Sequence, residues 1–245
     1  MQQKKLTQLS KSYAYVLAII LFSFLVNYHY SFIGVMPLDN FVLYNGGYRI
    51  LKGYTPFNDY WLVTGPLLDY LNAFYFRIFD INWASYVSHS STFNSIISLS
   101  TFYYLKKIGL EQEWSFFYSI LFSLLMYPVV GTPFVDHHST IFLVISFYLF
   151  IISVSFNHFT LLYFVPSLLV LSFLSKQTPA AYGIISISII TISLYFFQKN
   201  DFFFIFRNLI IGSIIGVILL FIFFLATGIN INNFIIQYIL FSQTI

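Results

Sequence analysis

The feature that most limits what this chain can fold into is the recurrence of long apolar runs separated by short polar breaks. A helix needs roughly 20 apolar residues to cross a bilayer, within a range near 17–25. Runs of about that length fall at 13–33, 84–105, 114–130, 140–156, 159–174, 180–197 and 209–227. Hydrophobic residues make up 59% of the chain and charged residues only 8%, where a soluble domain carries about 25%. The expected fold is therefore all-α: a polytopic membrane bundle of about seven spans in a single membrane domain, 1–245, with the lipid bilayer as its first partner. Internal repeats and a soluble domain are not evident. With no cysteine, disulfides, thiolate metal sites and cysteine nucleophiles are excluded. The net charge of +3 is small and its basic residues are spread over loops, which argues against a nucleic-acid partner.

Lys4, Lys5 and Lys11 precede the first run, which is too long for a secretory signal and lacks a small-residue cleavage site after it. An uncleaved first span with a cytoplasmic N-terminus follows. Alternate crossings then put Lys106, Lys107, Lys199 and Arg207 inside, and Arg49, Lys52, Arg77 and Lys176 outside, the bias the positive-inside tendency favours. The run 140–174 is too long for one span, and Asn157-His158 divides it into a helical hairpin. The span 84–105 is rich in serine and also carries His89 and Asn94. Two readings stand for it: close helix packing through small residues, or one wall of a hydrated cavity.

The longest polar break, Pro37–Pro66, holds Asp39, Arg49, Lys52 and Asp59. Few charges gathered beside a span point to function. Two interfacial helices are expected here, at about 40–51 and 66–79. Pro66 suits a first helical turn, where its missing N–H costs nothing. In the second helix Leu67, Leu71, Phe74, Tyr75 and Ile78 share one face, with Asp69, Asn72 and Asp80 on the other, a pattern of helices lying in the membrane plane.

The threading puts Asp39, Asp59, Asp69, Asp80, Asp136, His137, His138 and Lys176 at one outer face. Asp39 has the chemistry of a general base towards a hydroxyl, or it caps the helix that starts at Asn40. Asp136-His137-His138 contains normal metal-ligand types, but adjacent ligands without a third partner do not make a site, so no metal is assigned and no cofactor is required. Asp136 otherwise serves as a second carboxylate beside Asp39, positioning an acceptor or stabilising developing charge. Lys176, with Arg49, Lys52 and Arg77 as further candidates, offers a point charge to an anionic headgroup, or it merely snorkels to the interface.

These stretches resemble a known family. Asp39, the Gly46-Gly47 pair, Lys-Gly-Tyr-Thr-Pro-Phe-Asn-Asp at 52–59 and Gly65-Pro66 resemble the first outer loop of the GT-C membrane glycosyltransferases. Asp-His-His-Ser at 136–139 resembles that family's second outer-loop acidic position, and Ser-Lys-Gln-Thr-Pro at 175–179 its basic element. The resemblance implies transfer of a sugar from a polyprenyl-phosphate carrier to an acceptor at the periplasmic or outer face. It casts Asp39 as base, Asp136 as the second acid and Lys176 as a contact to the carrier phosphate, with Arg49, Asp59, His137 and His138 as further substrate contacts. The sequence departs from the family where many members have Asp-Glu and this chain has Asp39-Asn40. It also ends soon after the seventh run, which suggests a partner subunit supplying further contacts. Two alternatives remain: a transporter or flippase of a lipid-linked or anionic solute, and an inactive membrane scaffold.

Overall fold

A computed structural model describes the backbone of residues 2–34, 37–197 and 199–241, and the side chains of 11–34, 38–197 and 201–241. Lys4, Lys5 and Lys199, which enter the charge argument above, have side chains outside the described residues. The named elements are all helical: α1 (Gln2–Tyr30), α2 (Pro37–Leu51), α3 (Leu67–Phe79), α4 (Trp83–Lys107), α5 (Gln112–Met126), α6 (Val135–Ser155), a 3-10 turn (Phe159–Tyr163), α7 (Phe164–Ser175), α8 (Gln177–Phe197), α9 (Lys199–Thr227) and α10 (Ile231–Phe234), which continues into a wide turn at Ile235–Leu240.

Among the described residues four helices are long and apolar enough to cross a membrane: Lys11–Tyr30 within α1, α6, α8, and Asp201–Thr227 within α9. The other three expected runs differ for separate reasons. The 25-residue α4 has the length, but serine, histidine and asparagine dilute its apolar character. The third run is cut short because α5 is only 15 residues long and ends at Met126. The fifth is divided between the 3-10 turn and the 12-residue α7. The break before it is where the sequence places it: Asn157 takes a left-handed φ of 55°, a conformation asparagine tolerates better than most residues.

The serines of α4 return their hydroxyls to their own helix. Ser88 donates to the Ala84 carbonyl at 2.7 Å, Ser91 to Val87 at 2.7 Å and Ser98 to Asn94 at 2.7 Å, which satisfies them without water. Asn94 Nδ2 donates to the carbonyls of Ser23 in α1 and Ser123 in α5. Asn27 Nδ2 reaches Ser90, Ser91 and the Gly131 carbonyl. The small-residue packing reading therefore accounts for this helix: its polar groups bond α1, α4 and α5 together.

α3 buries a mixed face, Leu67, Leu68, Asp69, Asn72, Ala73 and Phe76. Phe74, Ile78 and Phe79 are more than half exposed, and Arg77 is exposed beside them. Asp69 and Asn72 thus lie on the side that meets α2 and α4. Close approach to α2 depends on Gly46 and Gly47. A Cβ at Gly46 would lie 2.1 Å from Asp69 Oδ1, and one at Gly47 2.6 Å from the Asn72 Cβ.

Polar contacts define two ends of the bundle. At one end Lys11 pairs with Glu113 at 2.6 Å, Lys106 donates to Gln112, Lys107 lies beside His158, and Asn208 bonds the Phe159 carbonyl. At the other end, the Gly65 N–H donates to the Ser175 carbonyl at 3.0 Å. Thr132 donates to Asn40 Oδ1 at 2.7 Å, and Gln237 Nε2 to the Phe57 carbonyl at 2.9 Å. There, Phe57, Leu62, Phe224, Ile229, Phe234 and Tyr238 form an apolar cluster that fastens α10 over the first loop.

Candidate functional site

The second end carries the residues singled out by sequence. α6 begins at Val135, which puts Asp136 in its first turn, where a carboxylate is favoured by the helix dipole. α7 ends at Ser175, so Lys176 stands just past its last turn in extended backbone. Ser139 ties the two helices by hydrogen bonds to the Ser172 and Lys176 carbonyls, at 3.0 and 3.1 Å. The result is an ion pair: Lys176 Nζ lies 2.6 Å from Asp136 Oδ1 and 2.8 Å from Oδ2. The side chains keep 33% and 41% of their exposure. A pair so accessible contributes about 0–1 kcal/mol, so an incoming anion can take Lys176 from Asp136 at small cost.

Asp39 is exposed in the first turn of α2. The helix starts at Pro37, not at Asn40, because proline's fixed φ and missing N–H suit a first turn. Asp39 thus lies inside the turn instead of capping it. Its neighbour Asn40 is buried and accepts from Thr132, four residues before Asp136. The Tyr86 hydroxyl donates to the Asn40 carbonyl at 2.9 Å. These contacts hold the start of α2 against the segment leading into α6, at the same end of the bundle as the ion pair.

Other sequence candidates have different surroundings. Asp59 is exposed, and its Oδ2 accepts from the Thr55 N–H at 2.7 Å, closing its own turn. Arg49 is half-buried with its guanidinium 5.0 Å from the Tyr60 ring centroid. His137 packs beside Tyr127 and Phe134, with Nδ1 unpartnered. His138 is fully buried, against His89 and Tyr127. Among the described residues no three His, Cys, Asp or Glu side chains come together as a metal-binding group.

Two further polar groupings are buried within the bundle. In the first, Asp69 of α3 accepts a hydrogen bond from the Tyr60 hydroxyl at 2.7 Å, under the Arg49 guanidinium. Burial pushes the Asp69 carboxyl up to about 7, opposed by the Tyr60 hydrogen bond and the Arg49 charge. Burial also raises the Tyr60 phenol. In the second, a chain of side chains crosses the bundle. Asn72 Nδ2 donates to the Leu43 carbonyl at 3.0 Å, which leaves Asn72 Oδ1 as acceptor, 2.7 Å from His89 Nδ1. His89 Nδ1 must then carry the proton, so its Nε2 accepts from His138 Nε2, 2.9 Å away. His138 Nδ1 meets both the Tyr127 hydroxyl and, at 3.3 Å, the Phe134 carbonyl, which only a protonated Nδ1 can serve. The chain runs from Tyr127, just past α5, through α6, α4 and α3 to α2.

Sequence reasoning treated Asp69 and Asn72 as the wet side of a surface helix, and His89 as one more polar residue of its span. The signal that bears on Asp69 was the glycine pair at 46–47, which lets another helix come within contact distance of α2.

Comparison with known proteins adds no relative. No protein-family model matches the chain, and no curated protein or solved structure matches it either.

Proposed function

We propose that this chain is a membrane glycosyltransferase that moves a sugar from a polyprenyl-phosphate carrier to an acceptor hydroxyl at one membrane face. The observation that carries the reading is the exchangeable Asp136–Lys176 pair at the same end of the bundle as Asp39. In this reading the chain crosses the membrane seven times, α2 and α3 lie in the interface, and the N-terminus is cytoplasmic. The carrier phosphate takes Lys176 from Asp136, which frees the Asp136 carboxylate to orient the acceptor. Asp39 removes the acceptor's proton as its oxygen attacks the anomeric carbon. The carrier phosphate departs with the electrons of the broken C–O bond, stabilised by the Lys176 ammonium. Phosphate is already a good leaving group, so positioning and charge stabilisation carry most of the acceleration.

An apolar groove of about 660 Å³ between α7, α8 and α9 supports a lipid-linked donor. It includes Phe173, three residues from Lys176, and continues to Phe202 and Phe206, enough apolar wall for an isoprenoid tail. The test is sugar transfer from a polyprenyl-phosphate donor in proteoliposomes. Loss of a general base typically costs about 10²–10⁴-fold, so Asp39→Asn lowers the turnover by that order. Undiminished transfer removes Asp39 from the mechanism. Net movement of a labelled donor across the bilayer with no new glycosidic bond replaces the enzyme by a transporter.

A further inference from the structure

A second cleft lies at the opposite end of the bundle and takes no part in the reading above. Its volume is about 480 Å³, and it opens between α4, α6 and the start of the 3-10 turn. One wall is apolar, from Ile145, Leu149 and Ile152 of α6. Across it, Tyr104 and Tyr148 stack with ring centroids 4.1 Å apart. At its polar rim Lys107 Nζ lies 3.2 Å from His158 Nε2 and 4.8 Å from the Phe156 ring centroid.

The rim is the unusual part. Lysine has no acceptor to offer, so Lys107 donates to His158 Nε2 and the histidine keeps its proton on Nδ1. Lys107 and His158 are both exposed. Among the described residues Lys107 has no carboxylate partner, whereas Lys11 at the same end is neutralised by Glu113 at 2.6 Å. An ammonium resting on a neutral imidazole and an aromatic face retains its full charge. An apolar wall, a stacked tyrosine pair and an uncompensated cation together match one class of molecule.

We propose that this cleft binds an anionic phospholipid, with its phosphate between Lys107 and His158 and an acyl chain along the Ile145–Ile152 wall. The phosphate oxygens accept from the Lys107 ammonium, a charge-assisted bond stronger than the one to imidazole. Headgroup selectivity follows from net charge: a zwitterionic lipid presents its own cation to a rim that already holds one.

The test uses the full chain in detergent, incubated with phosphatidylglycerol or phosphatidylcholine of equal chain length, with bound lipid read by native mass spectrometry. Both lipids offer the same phosphate, so the preference comes from the choline cation held beside Lys107, and it is expected to be roughly fivefold in favour of phosphatidylglycerol. Lys107→Ala combined with His158→Ala abolishes it, and Lys52→Ala, an exposed lysine at the far end, leaves it intact. All three positions are exposed, so folding is not at stake. Equal retention of the two lipids overturns the site. So does equal loss in the Lys52 variant, which makes the effect one of bulk charge. Equally strong competition by water-soluble glycerol phosphate makes it an anion site and removes the lipid.

Discussion

Asp69 sits under conditions that few carboxyl groups meet: 2% exposed, one hydrogen bond from Tyr60, and Arg49 nearby but bonded to neither oxygen. Its folded-state value, raised to about 7, lies above the ordinary value of about 3.9 for an unfolded chain. The folded form therefore binds the proton more tightly. This contribution to stability is complete below pH ~4 and is lost as pH rises through ~7. Thermal stability in detergent is expected to fall between those values, and Asp69→Asn to flatten that slope while leaving the Gly46 contact in place. A slope unchanged by the substitution would show that other groups set it. Tyr60 gives the cross-check. Removing its hydroxyl in Tyr60→Phe takes away a bond to a charged group, worth about 1.5–3 kcal/mol, and costs more at pH 8, where Asp69 is ionised, than at pH 5.

At the scale of elements, close approaches fix where the site residues stand. Gly65 packs on the end of α7: a Cβ there would lie 1.9 Å from the Leu174 carbonyl oxygen and 2.2 Å from its carbon. Backbone cannot turn aside as a side chain can. Gly65→Ala is therefore expected to cost about 1–3 kcal/mol, in line with overpacking elsewhere, and to release the 61–66 segment from Ser175. Limited proteolysis within 53–65 reads the release, and an unchanged cleavage rate would contradict it.

The sequence carried the helices well and the facing of one helix badly. The break at Asn157 and the turn before α3 follow from local backbone chemistry, whereas the start of α2 was expected at Asn40, three residues after its place at Pro37. The two sides of α3 also follow from its spacing, but spacing does not tell which side meets the protein. Here Asp69 and Asn72 turn inward together with Leu68 and Phe76, because Gly46 and Gly47 let α2 approach that face. The Asn72–His89–His138–Tyr127 chain was not legible because its members sit on separate helices and share no period. The Asp136–Lys176 pair, with 40 residues between its members, was foreseen only as two groups on one face, not as partners.

For the whole molecule, the two polar ends make a claim about sides. The absence of cysteine means that each introduced thiol reports alone. In sealed vesicles of one orientation, Tyr54→Cys and Thr178→Cys are expected to react with a membrane-impermeant maleimide from the same compartment, and Glu111→Cys from the other. All three positions are exposed. Labelling of Tyr54→Cys and Glu111→Cys from one compartment would break the seven-crossing reading and the proposed enzyme with it.

The first loop is stitched to the far part of the chain. Asn58 Nδ2 donates to the Gly228 carbonyl, and Asn58 Oδ1 accepts from the Asn230 N–H, across separations of 170 and 172 residues. Synthesis at about 5–20 residues per second leaves a delay of roughly 10–30 s between the two halves of that seam. During that interval Phe57 and Leu62 lack their covering residues Phe234 and Tyr238. The nascent chain thus emerges with Phe57 and Leu62 uncovered, and a ribosome stalled before Gly228 would hold α1–α9 without the segment that closes over the first loop.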